Sequence, residues 1–251
     1  MMAGHSKWKQ IKRKKAVTDS RRAQAWTKLI REITVAAKAG GGDPDGNPRL
    51  RLAIDTAKEA NMPNVNIDRA VKKGTGELEG ETIVELAYEG YGPAGVAIYI
   101  EATSDNPTRT VADVRFVFSR NGGTLGASNS VSWMFDRKGQ ITLDGAKVKN
   151  EDQALEDALE AGAEVFAREG EVYLISTAPF DVHPVMEKLK KKGYLPDSAE
   201  VAMVPKNTIK VDGKDAEQLI KLIEGLEELD DVAKVFSNFD MDADAMAGAG
   251  D

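Results

Sequence analysis

Between Thr75 and Glu81 the chain changes both its period and the sign of its charge, so one architecture cannot serve both halves. Before this Gly- and Glu-rich stretch, apolar residues recur at helical spacing. After it they alternate, first as Val84, Leu86 and Tyr88, then as Val96, Ile98 and Ile100. A 3.6-residue period buries one stripe of a helix, whereas a period of two buries one face of a strand. Residues 1–73 carry 17 Lys and Arg against 7 Asp and Glu, a net of +10. The remaining 178 residues carry 17 against 34, a net of −17, which the whole-chain charge of −7 conceals. Such a bipolar chain suggests a nucleic-acid-facing end and a solvating body that repels nucleic acid.

The basic end opens with six cations, Lys7, Lys9, Lys12, Arg13, Lys14 and Lys15, interleaved with His5 and Trp8. Ile11 is the one large aliphatic residue of this arm before Val17, so we expect a segment that stays mobile until bound. From Asp19 onward, Trp26, Leu29, Ile30, Ile33 and Ala37 share one helical face, with Arg21, Lys28 and Arg31 expected on a basic outer side. Thr18 or Asp19 suits the start of this helix and Gly40 its end. Asp43, Asp45 and Asn47 alternate as in a calcium loop, but Pro44 and Pro48 intrude and no glutamate follows at the twelfth position, so the segment reads as a connector. Asn47 followed by Pro48 predicts a capped second helix with Leu50, Ala53, Ile54 and Ala57 inward. A short third helix is expected over about Asn66–Lys73, ended by Gly74, with Lys72 and Lys73 in its last turn. The candidate nucleic-acid-binding residues are therefore His5, Lys7, Trp8, Lys9, Lys12, Arg13, Lys14, Lys15, Arg21, Arg22, Lys28, Arg31, Arg49, Arg51, Lys72 and Lys73.

The acidic body reads as α+β. Two alternating strands flank Gly90–Gly95 as a hairpin, and Asn106 with Pro107 starts a helix carrying Val111, Val114 and Phe118. Arg109, Arg115 and Arg120 on this helix are expected on an ordinary solvated face. Val131, Trp133 and Phe135 alternate, and DRKGQ reads as a turn before Ile141 and Leu143. Asn150 with Gln153 resembles a capping box for a helix with Leu155, Ala158, Leu159 and Phe166 inward. A strand at 171–177, a helix from Asp181 with Val185, Met186 and Leu189 inward, and a strand at 199–204 follow. The strand, helix and strand after 206 are too few to stand alone. The economical organisation is an arm plus helical bundle at 1–76, a discontinuous α+β domain of 81–130 with 206–240, an inserted α+β domain at 131–205, and a disordered tail at 241–251.

No catalytic constellation is found. The chain has no cysteine, which removes disulfides, zinc–thiolate sites and thiol catalysis and fits a reducing cytoplasm. His5 and His183 fall in different domains, and no nucleophile elbow, phosphate loop or zinc-protease motif occurs. No apolar run approaches the roughly 18–20 residues of a membrane span, and the basic start lacks the apolar core of a secretory signal. The reading is a non-enzymatic protein with no cofactor and no metal. Base-reading devices are also missing, so backbone-driven binding is better supported than sequence readout.

The AGHSKW start, NPRLR, NMP and RAVKKG, in this order over residues 3–76, resemble the YebC/PmpR family, and the match continues through YEGYGPAGVAIYIEATSDNPTRTVADVR to about residue 240. The resemblance implies a helical domain followed by two α+β domains, the third inserted into the second. Because its motif begins at Ala3, no removable leader is expected. It also implies a cytoplasmic regulator of gene expression, described either as a DNA-binding transcriptional regulator or as a ribosome-associated translation factor that relieves difficult nascent sequences. The partners implied are duplex DNA, ribosomal RNA, the ribosome or the transcription machinery, with oligomeric state left open. A metal-dependent nuclease and a pure protein-interaction module are the competing readings from other classes.

Overall fold

The computed structural model describes residues 19–80 and 82–241. The arm, the Thr18 cap and the tail after 241 lie outside these. The fold is α+β, a helical region followed by sheet domains. It divides into two compact units, residues 135–204 and the stretches on either side of them.

Among the described residues, the flanking unit opens with α1 (Asp19–Gly40), α2 (Pro48–Glu59) and α3 (Asn64–Thr75). Ile33, Ala36 and Ala37 of α1 meet Leu50, Ala53 and Ala57 of α2 and Ile67 and Ala70 of α3, with Trp26, Leu29 and Ile30 packed alongside. The Trp26 indole N–H donates to the Ala60 carbonyl at 3.1 Å, which satisfies the polar end of this half-buried ring. Asn47 does more than cap. Its Oδ1 accepts from Leu50 N, while its Nδ2 donates to the carbonyls of Ala36 and Gly41 at 2.8 and 2.9 Å, tying the α1–α2 connector to both helices.

Gly74 does not end α3, as the sequence suggested. The helix runs to Thr75 and stops at Gly76, whose φ of +82° is left-handed. Gly74 marks where α3 lies against α1: a Cβ there would collide with the Thr34 carbonyl oxygen and sit 2.7 Å from Ala37 Cβ. The helix also begins two residues earlier than expected, because the Pro63 carbonyl accepts from Asn66 N and Ile67 N.

Next comes a sheet of order β3-β1-β2-β9, formed by β1 (Val84–Tyr91), β2 (Ala97–Ser104), β3 (Thr124–Leu125) and β9 (Val232–Ser237). The first two form the expected hairpin, with Val84 opposite Ser104 and Tyr91 opposite Ala97. Helices α4 (Pro107–Arg120) and α7 (Gly213–Glu227) cover it. Val114 and Phe118 of α4, and Leu219, Ile220, Leu222, Ile223 and Leu226 of α7, share a core with Ile98 and Ile100. Short strands β8 (Ile209–Lys210) and β10 (Phe239–Asp240) pair in parallel.

The segment before residue 135 is also not the expected strand. Ser132–Met134 is a 3₁₀ turn. The buried Glu89 carboxylate dictates it by accepting from the N–H groups of Asn129, Val131 and Ser132 at 2.7–2.8 Å. Burial opposes charge on Glu89, but these donors outweigh it and hold the carboxyl below its ordinary range. Trp133 is left exposed, with its N–H on the Ser130 carbonyl.

The 135–204 unit holds β4 (Phe135–Asp144), α5 (Glu151–Ala161), β5 (Val165–Glu169), β6 (Val172–Thr177), α6 (Val182–Lys191) and β7 (Pro196–Pro205), the last reaching one residue past it, in a sheet of order β5-β6-β4-β7. DRKGQ lies inside β4 and is not a turn. Gly139, Ile141 and Leu143 alternate inward, and Lys138 leans out to Glu164 at 2.7 Å. Helix α5 buries Ala158 as expected, together with Ala154 and Ala161, but leaves Leu155 and Leu159 outside. It stops at Gly162 (φ +112°), so Phe166 belongs to β5, a strand the sequence reading missed. Helix α6 buries Val185, Met186 and Leu189 as expected.

Candidate nucleic-acid interface

His5, Lys7, Trp8, Lys9, Lys12, Arg13, Lys14 and Lys15 lie outside the described residues. Arg21 and Arg22 fall in the first turn of α1, and their side chains are likewise outside the description.

The expected basic outer side of α1 is corrected by the structure. Lys28 Nζ donates to the Glu227 carbonyl at 2.6 Å, and Gln24 reaches the Glu228 carbonyl, so both sit at the C-terminal end of α7, where unpaired carbonyls favour cations. Arg31 donates to the Asp230 carbonyl and to Asp231 Oδ1, both at 2.7 Å, and only 19% of its side chain is exposed. Asp231 is the hub of this contact. Its other oxygen accepts from Arg109 at 2.8 Å, Thr110 Oγ1 at 2.7 Å and Ser104 Oγ at 3.1 Å. Burial works against its charge, yet the bonds from Arg109, Thr110 and Arg31 prevail and hold it below the usual carboxylate range. Arg109 is thus not a solvated bystander, since it also pairs with Asp105 at 2.7 Å.

Two further candidates are engaged within the chain. Arg49 bridges Glu32 at 2.9 Å and Glu85 at 2.6 Å. Arg51 holds the connector, donating to the Pro44 carbonyl at 2.9 Å and to Asp45 at 2.7 Å.

Lys72 and Lys73 differ from all of these. They are exposed on α3, and so is Arg69, three and four residues earlier on the same face. Among the described residues no hydrogen bond or ion pair occupies these three side chains. Val65, one turn before Arg69, is 74% exposed and extends the row. Arg69 was missed in the sequence reading, although its spacing to the two lysines was the available signal.

Two family models match the chain: the N-terminal domain of TACO1/YebC proteins over residues 6–77, and the TACO1/YebC second and third domain over residues 83–239. The chain belongs to the TACO1/YebC family. A "probable transcriptional regulatory protein" of Gemmatimonas aurantiaca is 60% identical over 248 residues, covering 99% of this chain and all of that protein. One of Geobacter sulfurreducens is 51% identical over 245 residues, covering 98% of each. The crystal structure of a conserved hypothetical protein from Aquifex aeolicus superposes with a TM-score of 0.83 at 48% identity, covering 91% of this chain and 94% of that one.

In this TACO1/YebC chain the two matched stretches meet at the segment where period and charge change. Among the described residues no cluster of His, Asp or Glu could hold a metal ion, and no helix is long and apolar enough to cross a membrane.

Proposed function

We propose that this protein is a non-enzymatic, cytoplasmic regulator of gene expression that binds nucleic acid through residues 1–76, with duplex DNA its first partner. The observation that carries the reading is the row of unengaged cations on α3, on the same basic end as the six-cation arm. The relatives' naming as probable transcriptional regulatory proteins supports the regulatory role. The contacts are to phosphates: the arm and Arg69, Lys72 and Lys73 supply point charges and forks, not a base-reading surface. Lys28 and Arg31 hold α1 to the end of α7 and to Asp231, and Arg49 and Arg51 brace the bundle, instead of touching the ligand. Ribosomal RNA is the second reading, favoured by the same lack of base-reading groups, since phosphate binding does not select duplex DNA.

The test is a salt titration of affinity on duplex DNA and on structured RNA. If about six arm contacts form, they contribute about −4 to −5 to the slope of log K against log salt, and the α3 cations add to it. Replacing Lys12, Arg13, Lys14 and Lys15 with alanine flattens that slope by up to about four contacts' worth on every sequence alike. An unchanged slope removes the arm from the interface, and tighter binding to the RNA at equal salt moves the partner to the second reading.

A further inference from the structure

The body that carries the −17 charge displays one surface of the opposite character. Helix α4 buries Thr110, Val114 and Phe118 on one side. On the other, Phe116 is 62% exposed. The row Thr108, Ala112, Phe116, Arg120 runs along this outer face at four-residue spacing, and every member is exposed. Ala112 is too small to cover the ring from the turn below, the direction in which helical side chains lean. Arg115 is exposed beside Phe116, and neither Arg115 nor Arg120 has a side-chain hydrogen bond or ion pair among the described residues. Together with Arg109, whose charge is taken up by Asp105 and Asp231, they are the only basic residues between Glu77 and Arg137.

A single exposed apolar residue is unremarked on any protein surface. An uncovered aromatic ring with two unengaged guanidiniums one step and one turn away, in an otherwise acidic region, is a more specific combination. It matches the pairing of stacking platform and phosphate contact by which proteins hold unpaired nucleotides. Asp113 lies on the Arg120 side of the ring, seven residues before that arginine, and would repel a phosphate at the N-terminal end of this face, whereas Arg115 flanks the ring on the opposite side. We propose that Phe116, Arg115 and Arg120 form a second nucleic-acid contact, in which an unpaired base stacks on Phe116 and its flanking phosphates meet the two arginines. The proposal rests on the reading that the protein binds nucleic acid and assigns this face to single-stranded segments, whether of DNA or of RNA.

The test uses the full chain and three labelled ligands: oligothymidylate, oligouridylate and a duplex of the same length. Phe116→Ala is expected to weaken both single strands by about five- to a hundredfold and the duplex less than about twofold. Phe116→Trp should restore single-strand binding, with its added fluorescence quenched on saturation. Replacing Arg115 and Arg120 with alanine should flatten the single-strand salt slope by about one to two. Equal losses for oligothymidylate and oligouridylate assign unpaired nucleotides in general, whereas a loss confined to one names that source. Single-strand affinity unaltered by Phe116→Ala, or lowered equally on all ligands, overturns the proposal. The four-residue arm replacement separates the two readings: if it changes nothing on any ligand, the arm's role fails independently of Phe116.

Discussion

Helices α1 and α3 are both basic and both belong to the helical bundle, yet they use their charge in opposite ways. Lys28 and Arg31 of α1 are bound to the end of α7 and to Asp231. Arg69, Lys72 and Lys73 of α3 have no side-chain partner among the described residues. The difference shows that a cation counted along a sequence is not yet a ligand contact. What decides is whether an acceptor elsewhere in the chain has taken it.

The largest expected effect breaks the α1 side of this comparison. Asp231→Ala leaves Arg31, Arg109, Ser104 and Thr110 without their shared acceptor, and should cost about 3 kcal/mol in urea unfolding, at the lower end for a broken buried pair because Arg109 is half exposed. Its pH signature follows from the depressed carboxyl. The stabilisation is complete above the unfolded value of about 3.9 and is lost as pH falls through the lower folded value, so the gap between wild type and Asp231→Asn should narrow only below about pH 4. A steeper salt slope for nucleic acid in Asp231→Ala would mean that a released Arg31 joins the interface, and the contrast between the helices would weaken.

A second variant probes the surface where the two helices meet. Gly74→Ala replaces a poor helix former with the best one, yet its Cβ collides with the Thr34 carbonyl. It should destabilise by about 1–3 kcal/mol despite the gain in propensity. A raised melting temperature would show that α3 shifts readily on α1.

The smallest effect on stability falls on α3. Replacing Arg69, Lys72 and Lys73 with alanine should stay within about 0.5 kcal/mol in unfolding while flattening the salt slope by about two to three. The matched replacement of Lys28 and Arg31 should do the reverse, lowering stability and leaving the slope unchanged. Exchanged outcomes would reverse the assignment of the two helices.

What the sequence made legible was local. Asn47, Asn106 and Asn150 each cap the helix that follows, because a cap needs only the next three residues. The alternation of β1 and β2 was readable for the same reason. Long-range choices were not. Leu155 and Leu159 looked like a core stripe by size, but the space beneath α5 admits only Ala154, Ala158 and Ala161. The 3₁₀ turn at Ser132 depends on a carboxylate more than 40 residues earlier, and Arg31 meets an acceptor 200 residues away. For the candidate site, the spacing that unites Arg69 with Lys72 and Lys73 was present in the sequence. The partners that occupy Lys28, Arg31, Arg49 and Arg51 were not.

The return of the chain at Lys206 bears on the order in which the protein assembles. Lys206 N donates to the Met134 carbonyl at 2.9 Å, and Lys206 Nζ reaches the Trp133 carbonyl, so the two ends of the intervening segment are side by side. Strand β2 must nonetheless find β9 across well over a hundred residues of chain, a search that is entropically slow. Once residues 135–204 have folded, their length drops out of that search, because Met134 and Lys206 are then held side by side. The mid-chain unit then acts as a clamp that brings the last strands within reach of the first.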